Sequence, residues 1–401
     1  MMRHVFKLVW NRRRTNLLIG VELFFSFLIL CAVVTTGVYF AHTYRLPLGF
    51  SYAQVWDIYI NEQKAIDKEA RKEMRTQILL ALEEFEEIEA AAYVNKVPFG
   101  DGFGSRLVYT YEGKSIGIRP RRNFVTDDLD EVLNLELIEG RWFNREDEGI
   151  RGVPVVINRE FSDALFGTEA SLGKEIFRSD PVFPESKRQG PYRVVGVIAD
   201  FRGDDFSPSA PFLFERCSMN DGYIPNHLLI RLRPGTRAVF GEKLLERMQG
   251  IARDWSFQVE TLSDHRSDNL RLHLSFLLFG GIVAGLLIAM VGLGMVGVLW
   301  QNVAQRTGEI GLRRALGGTA GRISAQFLGE LLVIATLAVV PSTMLIAQLP
   351  FYGWLEYVPG EVYMGGIFTA ALLIYLLVIA CALYPSWLAS RVQPVEALHC
   401  E

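Results

Sequence analysis

Four long apolar runs set the limits on what this chain can become. They are Leu17 to Ala41, Leu274 to Trp300, Ile323 to Gln348 and Met364 to Leu388. Each has about 25 residues, roughly 38 Å as a helix, enough to cross a ~30 Å hydrocarbon layer with some tilt. The second is almost free of charge, and the third carries only Glu330. Half of the 401 residues are hydrophobic (50%) and charge is concentrated elsewhere, so the class is membrane protein: one span, a large segment, then three spans. The first run is too long for a cleaved signal peptide and no small-x-small site follows it, so it reads as a retained anchor.

The short flanks give the orientation. Arg3, Lys7, Arg12, Arg13 and Arg14 precede the first span, Arg306, Arg313, Arg314 and Arg322 separate the second from the third, and Arg391 follows the fourth. The loop between the third and fourth spans carries Glu356 and Glu361 and neither Lys nor Arg. Positive flanks stay in the cytoplasm, which puts both termini and the Arg306 segment inside and residues 42–272 outside. The net charge of -4 argues against a nucleic-acid partner. Among the four cysteines, Cys31 and Cys381 fall in spans, Cys400 at the cytoplasmic end and Cys217 alone outside, so no disulfide is expected to staple the outer domain. Some 230 residues suffice for a core of its own.

The outer segment alternates between two periods. Val55 to Ile60, Ala91 to Val97 and Leu107 to Tyr111 read as strands, with a helix over Gln63 to Glu89 whose stripe is Ile66, Ala70, Met74, Ile78, Leu82 and Phe85. The pattern recurs as a strand over Leu228 to Leu232, a helix over Arg237 to Ile251 and a strand over Phe257 to Leu262. Two strand-helix-strand units at the two ends predict one split α+β subdomain. Between them, residues 116–214 read as an inserted, strand-rich subdomain containing Val153 to Asn158, a short helix ending Leu165-Phe166-Gly167, and Tyr192 to Ile198.

Arg306 to Glu330 is a charged segment trapped between two spans. Its Ile310, Leu312, Ala315 and Leu316 make a helix-compatible apolar stripe, Gly317 and Gly318 supply a stop, and Glu309 suits a helix start. A polar helix so placed moves when its spans move, which is the arrangement expected where a membrane protein takes a mechanical input from a soluble partner. A plain basic loop is the alternative reading.

Three sets of residues together resemble the MacB/FtsX-type ABC transporter permeases. The first is Glu309-Ile310-Gly311-Leu312-Arg313-Arg314-Ala315-Leu316-Gly317, similar to the family's coupling segment. The second is Tyr384-Pro385-Ser386-Trp387-Leu388-Ala389-Ser390-Arg391 with Pro394-Val395-Glu396-Ala397-Leu398, similar to its C-terminal signature. The third, in the outer domain, is Gly140-Arg141 with Asp147, then Val155-Val156-Ile157-Asn158, Leu165-Phe166-Gly167 and Val195-Gly196-Val197. The resemblance implies a non-catalytic permease that dimerises with a second copy or a paralogue. It also implies a separate cytoplasmic ABC ATPase, which binds the ATP and Mg, and transmission of ATPase closure through the coupling helix to a periplasmic domain. Efflux members sit in the inner membrane of a two-membrane envelope and work through a periplasmic adaptor and an outer-membrane duct. Other members extract lipoproteins or activate a cell-wall hydrolase. No Gly-x-x-x-x-Gly-Lys-Ser/Thr loop occurs in this sequence, so no cofactor is expected on the chain itself.

The expected layout is a basic segment at 1–16, spans at 17–41, 273–300, 323–348 and 364–388, and an outer domain at 42–272. The coupling segment is at 301–322, a short outer loop at 349–363 and a tail at 389–401, with an FtsX-like permease domain over about 273–398. Residues 1–14 read as an amphipathic helix on the inner membrane surface or as an ordinary basic flank. Glu22 and Glu330 are intramembrane carboxylates. For Glu22 the readings are structural pairing, proton coupling or interfacial exposure. Gly281, Gly285 and Gly292, continued by Gly294 and Gly297, make a small face for close helix packing, within the bundle or across a dimer. His42, His265 and His273 have no metal-site spacing. The outer domain carries no Gly-x-Ser-x-Gly turn, so neither metal binding nor catalysis is expected.

Overall fold

The computed structural model describes residues 13–63, 66–100, 102–103, 108–115, 120–148, 152–179, 189–219, 224–237, 239–305, 320–352 and 358–391. The chain divides into two compact units, Met1–His42 with His273–Glu401, and Thr43–Leu272.

Among the described residues the first unit is built from four α-helices, α1 (Arg13–Thr43), α6 (Leu262–Gln305), α7 (Ala320–Ile346) and α8 (Gly360–Arg391), with Thr43 and the first turns of α6, to Leu272, belonging to the second. Each contains a run long and apolar enough to cross a membrane. They bury a common seam. It holds Leu23 and Phe27 of α1, Val291 and Met295 of α6, Ala335 and Ala338 of α7, and Ile374 and Val378 of α8. Their three- and four-residue spacing puts each set on one helix face. The remaining faces present large apolar side chains outward, including Phe25, Leu278, Phe279, Leu293 and Leu376. In water such a surface would drive aggregation, whereas hydrocarbon solvates it.

In the second unit the sequence builds two interlocked strand-helix-strand hooks. The first is β1 (Val55–Glu62), α2 (Lys68–Glu83) and β2 (Ile88–Val94); the second is β11 (His227–Leu232), α5 (Phe240–Ile251) and β12 (Trp255–Thr261). Their strands alternate as β12-β1-β11-β2, every neighbour antiparallel. Each hook therefore receives one strand of the other between its own two, which is the split β-α-β arrangement expected. Period-two alternation sorts the faces. Ile58, Ile60, Leu228 and Ile230 pack under Ile78, Leu82, Phe240, Leu244 and Met248 of the two helices, while Val55 and Leu229 face the opposite side with Leu262.

The expected helix over Gln63 to Glu89 is shorter. It stops at Glu83, where Phe85 N–H turns back to the Leu82 carbonyl, and Ile88 already pairs with Leu232. Strand pairing with β11 competes with helix for residues 88–89 and wins, since β2 runs inside the sheet between β11 and β5. The strand expected over Ala91 to Val97 correspondingly begins at Ile88. Arg75, on the buried side of α2, has no exposure. Its guanidinium donates to Glu62 at 2.9 Å and Asn226 at 3.1 Å and lies over the Tyr93 and Trp255 rings.

The inserted strands are β3 (Val108–Tyr111), β4 (Lys114–Ser115), β5 (Arg121–Val125), β6 (Leu137–Gly140), β7 (Val153–Asn158), β8 (Glu175–Ser179), β9 (Gln189–Ile198) and β10 (Phe212–Arg216), with short helices α3 (Leu129–Leu133) and α4 (Arg159–Phe166). Val108–Tyr111, read from sequence alongside the first strands, instead pairs with β8 and belongs with the inserted strands. Among the described residues all the strands form one sheet, whose two halves meet along a short β2–β5 seam: the ladder pair Val94–Val125, flanked by Asn95 N–H to the Phe124 carbonyl and Thr126 N–H to the Tyr93 carbonyl.

The outer-domain residues that carry the family resemblance prove to be joints of this insert. Arg141 forks onto Asp147 at 2.6 and 2.7 Å, and Asn144 caps the turn between them. Asn158 caps α4 through Phe161 N–H and also accepts from Phe212 N–H at 2.8 Å, tying β7 to β10. Gly140 has φ +72°, and a Cβ on Gly196 would run into the Arg141 carbonyl.

Candidate functional site

The residues expected to couple to a partner, Glu309, Ile310, Gly311, Leu312, Arg313, Arg314, Ala315, Leu316 and Gly317, lie outside the described residues. So do most of residues 1–14 and the signature at 394–398. The other expected residues fall among the described ones. Glu22 is half-buried in α1, with Oε2 3.4 Å from where a Cβ on Gly294 would sit. Glu330 accepts from Gln326 Nε2 at 3.4 Å. A Cβ on Gly292 would meet Cys381 Sγ and Leu377 of α8, so this glycine lies inside the bundle, whereas Gly281, Gly285 and Gly297 meet nothing within 4 Å. The small face thus splits into an inward half and an outward half.

Sequence reasoning missed a dense set of polar contacts in the unit Thr43–Leu272, centred on the 199–211 loop between β9 and β10. Arg202, 1% exposed, spends all five of its guanidinium N–H groups on backbone carbonyls. Nη2 donates to Thr43 at 3.0 Å and Asp205 at 2.8 Å, Nη1 to Leu46 at 2.9 Å and Pro47 at 3.3 Å, and Nε to Ser207 at 3.1 Å. Thr43 is the last residue of α1, whose terminal carbonyls lack partners inside the helix. Arg202 supplies both a donor and a positive charge there, where the helix dipole favours it. The approach is close: Gly49, at φ +79°, leaves no room for a Cβ against the Asp200 carbonyl. Phe50, Phe99, Phe103, Phe201, Phe212 and Phe214 pack around the loop and exclude water.

The start of α6 meets the same loop. Thr261 caps it, accepting the Asp264 N–H at 3.0 Å while donating its hydroxyl to the Asp264 carboxylate at 2.7 Å. Arg266 forks onto the buried Asp205 carboxylate with both distances 2.8 Å. It also donates to the Tyr52 hydroxyl and lies against the Tyr44 and Tyr52 rings. The hydrogen bond to Asp205 pushes the Arg266 pKa up, outweighing burial. Asn269 donates to the Phe99 carbonyl at 3.2 Å.

His265, next to Arg266 and about 100° around the helix, points to β1. Its Nε2 lies 3.1 Å from Asp57, and His227 Nδ1 lies 3.0 Å from both Asp57 oxygens. Asp57 is buried, which alone would raise its pKa, but the two imidazoles hold it below the usual carboxylate value. The hydrogen bond to Asp57 raises the His265 pKa against a burial effect that lowers it. Among the described residues no group of three or more His, Cys, Asp and Glu is placed to hold a metal ion. Of the other histidines, His42 is exposed and His273 packs edge-on against Phe40.

In the sequence, Pro208 and Pro211 with Ser207 and Ser209 mark a loop here and no more. Nothing in Phe201-Arg202-Gly203-Asp204-Asp205 announces a buried arginine, because three of its five partner carbonyls are 150 and more residues away.

Comparison with known proteins accords with this architecture. Residues 25–239 match the MacB-like periplasmic core domain and residues 281–394 the FtsX-like permease C-terminal domain. The pyoverdine export ATP-binding/permease protein PvdT of Pseudomonas aeruginosa is 26% identical over 286 residues, covering 68% of this chain and 41% of PvdT. The macrolide export ATP-binding/permease protein MacB of Aggregatibacter actinomycetemcomitans is 25% identical over 227 residues, covering 54% of this chain and 33% of that protein. The ABC transporter permease YknZ of Bacillus subtilis is 22% identical over 291 residues, covering 70% of each. The chain spans less than half the length of the first two relatives. A multi-pass helical unit joined to an extracytoplasmic α+β domain, with both family domains matched in order, makes this chain a member of the MacB/FtsX-type permease family.

Proposed function

We propose that this chain is the transmembrane permease subunit of an ABC transporter that drives export from the periplasm. Energy comes from a separate cytoplasmic ATPase carrying ATP and Mg, and reaches the outer domain as movement rather than as a substrate channel. The chain pairs with a second permease and engages a periplasmic adaptor and an outer-membrane duct. Residues 309–317 are the lever on which the ATPase acts.

One observation carries the reading. α6 is a single helix of 44 residues, about 66 Å long, roughly twice what a bilayer core can hold. Its apolar part satisfies the requirements of a span, and its first turns are fastened by His265, Arg266 and Asn269 to the outer domain's own residues. A helix unbroken by Pro transmits axial and tilting displacement. The relatives named for pyoverdine and macrolide export, both described as ATP-binding/permease proteins, support the export class.

Two variants test it in the chain co-purified with its ATPase. Glu309→Lys or Leu316→Asp is expected to leave assembly intact and to uncouple ATP hydrolysis from export. Full export by either variant would overturn the assignment of the lever. The chain purified without the ATPase is expected neither to bind nor to hydrolyse ATP.

A further inference from the structure

We propose that the Asp205–Arg266 pair is the joint through which displacement of α6 enters the inserted half of the outer sheet, acting with Arg202 as a positioning device rather than as a generic brace. This rests on the transmission reading above. Asp205 is 1% exposed, and among the described residues Arg266 is its ion-pair partner, at 2.8 Å through both oxygens. A buried carboxylate separated from its cation has no water to turn to, so the two groups move together. The Tyr44 and Tyr52 rings flank the guanidinium and hold its plane fixed.

What the loop connects gives the pair its meaning. The 199–211 loop leaves β9 and enters β10, and these strands enclose β7 in the interior of the inserted sheet, in the order β5-β10-β7-β9-β8. A push on Asp205 is therefore delivered to the middle of that sheet rather than to an edge. Three residues away, Arg202 fastens the same loop to the terminal carbonyl of α1. One loop of the insert thus grips the end of one long helix and the start of another. The split β-α-β half takes hold of α6 separately, through His265 on Asp57. The two halves of the sheet meet along one short β2–β5 seam, Val94–Val125 flanked by the backbone bonds Asn95–Phe124 and Tyr93–Thr126, and in this proposal they pivot along it. Moving α6 then shifts the insert relative to the other half, with Asp205–Arg266 as the driven contact.

The test uses the full chain with its ATPase in lipid nanodiscs, carrying spin labels at the exposed positions Leu80 on α2 and Leu172 in the insert. Distances are measured with and without ATP. The expected result is a nucleotide-dependent distance change that is lost in Asp205→Asn and in Arg266→Gln while ATP hydrolysis continues at the wild-type rate. The change is expected to return in the charge-swapped double variant Asp205→Arg, Arg266→Asp. Tyr52→Phe, which removes one hydrogen bond and leaves the ion pair, is expected to narrow the change without abolishing it, and it serves should a charge variant fail to fold. His265→Gln is expected to leave the change intact. A full change in Asp205→Asn and Arg266→Gln, or in Tyr52→Phe where those do not fold, overturns the joint and leaves the transmission reading standing. No change in the wild-type protein sinks the transmission reading and the joint with it.

Discussion

Replacing Arg202 by Met is the sharpest test of how the outer domain is fastened. Methionine keeps much of the aliphatic stem and removes all five donors at once. The carbonyls of Leu46, Pro47 and Ser207 belong to residues with some exposure and can turn to water. Thr43, 2% exposed, keeps the Leu46 N–H on its carbonyl at 3.1 Å. The Asp205 carbonyl, on a residue 1% exposed, is left stranded. A stranded acceptor costs about 1–3 kcal/mol. For a unit of this size 1 kcal/mol is worth about 2–4 °C, so the outer-domain transition of the full chain should fall by roughly 2–12 °C. Thermal unfolding followed by tryptophan fluorescence reads the shift, and hydrogen exchange should rise at residues 43–50 and 199–209. Arg202→Lys, with three donors in place of five, should fall between. A shift under about 2 °C with unchanged exchange would refute the claim that Arg202 satisfies these carbonyls in the folded protein.

Two further outcomes follow from named contacts. His265 has a raised pKa through its bond to Asp57. Its contribution to stability is therefore complete below the unfolded value near 6.5 and is lost as pH rises through the folded value. Asp57, with a lowered pKa, contributes only above its own folded value. The outer-domain melting temperature should accordingly decline between pH 6 and 8 in the wild type and decline less in His265→Gln. Asp130, pushed up to about 6 by burial, supplies a background slope that the variant leaves in place. Equal slopes would show that the His265–Asp57 bond adds nothing. In the membrane unit, Gly294→Leu forces a side chain into the space beside Glu22 Oε2, whereas Gly281→Leu meets open space. The first should lower monomer stability in detergent by about 1–3 kcal/mol, and the second should not; equal losses would contradict the inward placement of Gly294.

Those contrasts mark the division between what could be read from residues and what could not. The apolar runs announced α1, α6, α7 and α8 because the membrane imposes a length and a composition on each span separately. The two strand-helix-strand hooks were visible because burial on one face writes period two or 3.6 into the local chain. Where two local patterns competed, as at Ile88, only the partner strand decided. The glycines show the same limit: the spacing of Gly281, Gly285 and Gly292 declared a small face, but only packing against Cys381 and Leu377 turned Gly292 inward. The contacts around Arg202, Asp205 and Arg266 left no trace in any window of sequence. Their partners lie from three to more than two hundred residues apart, and a charge is affordable inside a fold only after the fold has brought the opposing carbonyls and carboxylates to it. Sequence alone therefore determined the elements and the medium they sit in; the closed chain decided which charged side chains hold them together.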